Sequence, residues 1–132
     1  MGRVLFTEVK KEYVLDVEVP TEDGKVVKNI DLPEEDQIVA TIELSSGSER
    51  SEYMRYETTS DSRSILKFRP EACAKKKCTE IKGLEGMSIH NGKDLAKVSR
   101  KYAEVYNICM AILSISCDVA KKTDDDEDQE DV

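Results

Sequence analysis

At 132 residues and 39% hydrophobic content the chain can bury one core but not two, and with no tryptophan and two phenylalanines that core falls to Val, Ile, Leu, Met, Cys and Tyr. A formal charge of −8 argues against the basic classes that ride on nucleic acid, and a single histidine excludes a two-histidine metal site within one chain. The charge is also segregated: residues 1–66 carry −7, residues 67–101 carry +6, residues 102–123 are neutral, and Asp124 to Val132 carry −7 with no base.

Near the N-terminus Tyr13, Leu15, Val17 and Val19 alternate with Val14, Asp16 and Glu18, the period of a half-buried strand, and Pro20 with Glu22-Asp23-Gly24 ends it. Lys25 to Leu32 is the predicted hairpin partner. Pro33 and Glu34-Glu35-Asp36 then break the chain before Ile38, Ala40, Ile42 and Leu44, which line one face of another strand. Ser45-Ser46-Gly47-Ser48 reads as a loop and Tyr53 to Thr58 as the strand coming back. Together these runs predict an antiparallel sheet with one solvated face.

Thr58-Thr59-Ser60-Asp61-Ser62 marks a joint, after which Ile65 to Arg69 can form a last strand. Pro70 suits a first helical turn, so a helix is expected over residues 71–81, with strand as the open alternative, and Lys75, Lys76 and Lys77 are expected to face solvent or a partner. Gly83 and Gly86 stop it. Asn91-Gly92 reads as a tight turn, with Asp94 or Ser99 capping the next helix. From there Tyr102, Val105, Tyr106, Cys109, Ile112, Leu113 and Ser116 recur at helical spacing, while Ala103, Ile108, Met110 and Ile115 make the other sides apolar as well. Such a helix either lies wholly in the core or reserves a face for a partner.

The expected fold class is therefore α+β: a sheet of about four or five strands, then two or three helices, with residues 1–123 as one domain and residues 124–132 as a disordered acidic tail. No catalytic constellation accompanies it. His90 sits at a turn without a second imidazole, and the six glycines are too scattered for a phosphate loop. Cys73, Cys78, Cys109 and Cys117 lack the two-residue spacing of zinc knuckles, and the acidic tail lacks the glycine and ligand spacing of a calcium loop. The expectation is a protein that is not an enzyme and needs no metal or cofactor. The longest apolar run, Ile108 to Cys117, is too short to span a bilayer, and no export segment is evident, so the expected compartment is the cytoplasm. Residues 67–101 hold ten bases but Phe68 is their only aromatic, a poor stacking surface, so no nucleic-acid partner is expected either.

The run Phe68-Arg69-Pro70, then Lys77-Cys78-Thr79-Glu80-Ile81-Lys82-Gly83-Leu84, then Ile89-His90-Asn91-Gly92-Lys93-Asp94-Leu95, with the apolar helix and an acidic end behind it, resembles small proteins of the tail modules of tailed phages and prophages. Within that group it is most similar in style to tail assembly chaperones. The resemblance covers residues 68–117 and leaves the longer β-rich front unmatched. It implies a non-catalytic protein that covers apolar surface of an unassembled tail component, such as the tape measure or a tube subunit. Tyr102, Val105, Tyr106, Cys109, Ile112 and Leu113 are then the candidate partner-binding residues. A structural tail or head-tail protein, or a stand-alone interaction domain, remains the alternative, and self-association is left open.

Overall fold

A computed structural model describes residues 10–117. The acidic segment 124–132 and the residues on either side of that range lie outside the described residues. Strand β1 (Lys10–Val14) pairs antiparallel with β4 (Val39–Glu43), and β4 pairs antiparallel with β7 (Cys78–Lys82), giving a three-stranded sheet with β4 in the middle. Two separate ribbons stand beside it: β2 (Glu18–Pro20) with β3 (Val26–Lys28), and β5 (Met54–Thr58) with β6 (Ser64–Phe68). The helices are α1 (Gly47–Tyr53), α2 (Pro70–Lys77), α3 (Gly92–Val98) and α4 (Ala103–Ser116).

The α+β class stands, with corrections. The front does not form one sheet of four or five strands, because the returning strand β5 joins β6 and not β4. The run from Tyr13 to Val19 keeps its alternation, with Leu15 fully buried and Tyr13, Val17 and Val19 half-buried, but is split into β1 and β2 where the ladder passes from one partner to the next. Ser45 to Ser48 is no simple loop. Ser46 caps α1 by accepting from the Glu49 N–H while the Glu49 carboxylate accepts from the Ser46 N–H, a reciprocal box that satisfies two otherwise orphaned donors.

Residues 71–81 resolve into both alternatives. Pro70 opens α2 at its first position, the helix ends at Lys77, and the chain enters β7 at Cys78 with no connecting loop. Cys78 and Ile81 point into the core while Thr79 and Glu80 stay exposed. Gly83, at φ +99, then turns the chain, where a Cβ would come within 2.8 Å of the Gln37 carbonyl oxygen.

Asn91-Gly92 is not a hairpin turn: the Asn91 side chain caps α3 by accepting from the Asp94 N–H at 3.0 Å, and Asp94 reaches back to accept from the His90 N–H at 2.9 Å. Gly92 is required by packing, since a Cβ there would lie 1.7 Å from the Ala74 carbonyl oxygen of α2. Helix α4 lies over this frame. Its Val105, Ile108, Cys109 and Ile112 join Leu15, Ile38, Ala40, Ile42, Ile81, Ile89 and Leu95 in one core, each large aliphatic side chain contributing about 1.5–3 kcal/mol through burial. No described helix is long and apolar enough to cross a membrane.

Candidate partner-binding groove

The six residues expected on a gripping face divide between core and surface. Val105, Cys109, Ile112 and Leu113 are at most 2% exposed, committed to the interior, whereas Tyr102 and Tyr106 remain 46% and 41% exposed. The reason is periodicity. Positions 105, 109, 112 and 113 fall on the stripe that meets the sheet and α2, while 102 and 106 fall to its side at the N-terminal end of α4.

At that end the surface is concave. A cavity of about 320 Å³ is walled by Tyr102, Val105 and Ile108 from α4, by Val19, Pro20 and Ile38 from the front of the chain, and by Leu84 and Met87 from the turn after β7. The exposed Glu18 and Glu104 carboxylates complete its lining. Met87 is 47% exposed, so the groove joins apolar floor to apolar rim. Tyr102 is the N-cap of α4 in extended conformation, φ −127, and makes no side-chain capping bond, which leaves its ring at the mouth. The arrangement suits an apolar side chain and offers two carboxylates to a neighbouring cation. Sequence periodicity pointed at Tyr102 and Val105 but not at Val19, Leu84 or Met87. Val19 comes from the front of the chain and Leu84 and Met87 from the turn after β7, and only folding brings the two stretches to α4.

The basic block behaves differently from expectation at one position. Lys75 and Lys76 are exposed, but Lys77 is 5% exposed, one turn beyond buried Cys73 on the same face of α2. Its ammonium bridges Glu49 at 2.5 Å and Glu43 at 3.4 Å. Burial pulls the Lys77 pKa down, and the two carboxylates outweigh that and leave it raised. Donation from Lys77, helped by the Ser46 N–H, brings Glu49 down to about 2. Lys67–Glu57, Lys76–Glu52 and Lys82–Glu12 are further, exposed ion pairs of the same kind, each joining the basic block to the acidic front.

All four cysteines are free and buried. Burial raises Cys78 to about 11 and Cys109 to about 12, so neither is a thiolate at neutral pH. Cys73 and Cys117 pack together with Tyr53 and Leu113. The contact raises Cys73 and lowers Cys117, the direction expected when the Cys73 thiol donates to the Cys117 sulfur. His90 is exposed at the start of α3, and its backbone, not its ring, makes the local hydrogen bonds. Among the described residues no three His, Cys, Asp or Glu side chains gather as metal ligands would.

No family model, curated protein or solved structure matches this chain.

Proposed function

We propose that the chain is a non-catalytic binding protein that shelters an apolar segment of a partner in the groove at the N-terminal end of α4. Following the motif resemblance, we assign the partner to the unassembled components of a phage or prophage tail. The single observation that carries the reading is the groove itself, an apolar floor continued by the exposed side chains of Tyr102 and Met87. Glu18 and Glu104 specify the occupant further: an aliphatic or aromatic side chain with Lys or Arg beside it in the partner sequence. Holding such a segment needs no chemistry, only the removal of apolar area from water until assembly offers a better site.

Co-expression with phage tape-measure and tail-tube proteins tests the proposal. The wild-type chain should raise the soluble fraction of one of them and co-purify with it, and Met87→Glu or Tyr102→Glu should abolish both effects while the far-ultraviolet circular dichroism stays unchanged. Retained binding by both folded variants, or a wild-type chain that solubilises none of the tail proteins, would overturn it. Val105→Asp is a poor probe, because Val105 is 2% exposed and its loss reports on the core. A structural role in the tail or at the head-tail joint is the second reading, favoured by the outer edge of β5, which pairs with no strand other than β6 among the described residues.

A further inference from the structure

The β5–β6 ribbon is amphipathic with no second layer over most of it. Its register sets Met54 opposite Phe68 and Tyr56 opposite Leu66, which puts these four side chains on one face, and Arg55, Glu57, Ile65 and Lys67 on the other. On the apolar face Tyr56 is 73% exposed, Leu66 42% and Phe68 37%. A two-stranded ribbon alone is marginal in water, and three or more strands are normally needed.

The direction of its backbone groups identifies a free edge. At one end the Arg69 N–H donates to the Tyr53 oxygen at 2.8 Å, and at the other the Thr59 N–H donates to the Arg63 oxygen at 2.8 Å, with unbroken register between. Hydrogen-bonded pairs alternate along an antiparallel ladder, so Tyr53, Arg55, Glu57 and Thr59 turn their backbone groups toward β6. Met54, Tyr56 and Thr58 therefore turn theirs outward. The Met54 N–H is taken by the Arg50 oxygen at the end of α1, while the Met54 carbonyl and both groups of Tyr56 and Thr58 have no backbone partner among the described residues.

We propose that this edge is a dimer interface, in which two copies of the chain join β5 to β5 antiparallel about Tyr56 and form a continuous four-stranded sheet. In that register Tyr56 meets its counterpart as a hydrogen-bonded pair, and each Thr58 N–H reaches the partner's Met54 carbonyl. Arg55 meets the partner's Glu57, twice by symmetry, in the closely spaced non-hydrogen-bonded position. Charge is what selects a second copy as the occupant: the triplet Arg55-Tyr56-Glu57 is complementary to itself when reversed. Within one copy the same Arg55 faces Lys67, a like-charge cross-strand pair that Glu57 offsets only from the Lys67 side, at 3.4 Å, so that in the join Glu57 stands between Lys67 and the partner's Arg55. The join also doubles the apolar face of Met54, Tyr56, Leu66 and Phe68 into one sheet surface.

Sedimentation velocity of the full chain over a wide concentration range, at low and moderate salt, tests the interface. The wild type should show a monomer–dimer equilibrium. Arg55→Glu should weaken it by roughly tenfold or more through two lost pairs and two new repulsions, yet leave the thermal midpoint of the monomer unchanged or higher, because it relieves the contact with Lys67. The double variant Arg55→Glu/Glu57→Arg should restore the dimer. Tyr56→Pro removes an outward N–H and none of those facing β6, and should also give a folded monomer. A wild type that remains monomeric at every concentration, or a dimer indifferent to Arg55→Glu and Tyr56→Pro, would overturn the proposal.

Discussion

The side-chain amide of Asn29 serves both backbone groups of Ile38: its Oδ1 accepts from the Ile38 N–H at 2.8 Å and its Nδ2 donates to the Ile38 oxygen at 2.9 Å. The same Nδ2 donates to the Leu15 oxygen at 2.8 Å, so one fully buried side chain, beside the Leu15 N–H bond to the Ile38 oxygen at 3.1 Å, ties the end of β1 to the start of β4. Asn29→Ala leaves the Ile38 N–H and the Leu15 oxygen without their partner, while the Ile38 oxygen keeps the Leu15 N–H at 3.1 Å. A loss of about 3 kcal/mol is expected, read as a lower urea midpoint with unchanged slope. Asn29→Asp should not rescue it, because a carboxylate cannot donate to the Leu15 and Ile38 oxygens.

Glu49 links stability to pH. Its folded pKa, about 2, lies below the ordinary 4.5, so the folded state holds the proton less tightly than the unfolded chain does. The stabilisation from its contact with Lys77 is fully present above about pH 4.5 and is lost as pH falls toward 2. Equilibrium unfolding between pH 6 and pH 2 should therefore show a steeper decline for the wild type than for Glu49→Gln, the two curves converging at the acid end. Parallel curves would mean that the pair contributes nothing to folding.

Gly92 tests the seam between α2 and α3. A methyl group at this position meets backbone, the Ala74 carbonyl carbon at 2.5 Å and the Cys78 oxygen at 2.9 Å, neither of which can rotate aside. Gly92→Ala should cost about 3 kcal/mol in thermal or urea unfolding despite the better helix propensity of alanine. Gly86→Ala, where a Cβ finds nothing within 4 Å, is the control and should be close to neutral.

The thiols give a labelling prediction. With Cys78 and Cys109 raised to about 11 and about 12 and buried, iodoacetamide at pH 8 should leave both unmodified in the native protein and modify both in urea, as read by peptide mass spectrometry. Labelling of Cys109 in the native state would mean that α4 opens locally, and would weaken its assignment to the core.

Local pattern made much of the front legible. Alternation placed Leu15, Ile38, Ala40 and Ile42 inside, and helical recurrence placed Val105, Cys109, Ile112 and Leu113 along one element. Capping chemistry was equally local: Ser46 with Glu49 three residues on is a helix start written in the sequence, and reading that stretch as a loop gave glycine and serine too much weight. The helix-to-strand junction at Lys77–Cys78 had no such mark, since no glycine or proline separates the two elements.

Side-chain period and capping are properties of neighbours along the chain, and they sufficed for the α+β class and for the apolar character of α4. Pairing is a property of distant segments. Which strand took β5, how Asn29 came to serve Ile38, and which face of α4 stayed open at Tyr102 depended on long-range packing that no window of sequence contains. Charge makes the same point: along the chain acids and bases lie in separate blocks, but folding sets Lys67, Lys76, Lys77 and Lys82 against Glu57, Glu52, Glu49 and Glu12. Coulomb attraction acts through space and not along the chain, so among the described residues part of the segregation seen in the sequence is undone by folding.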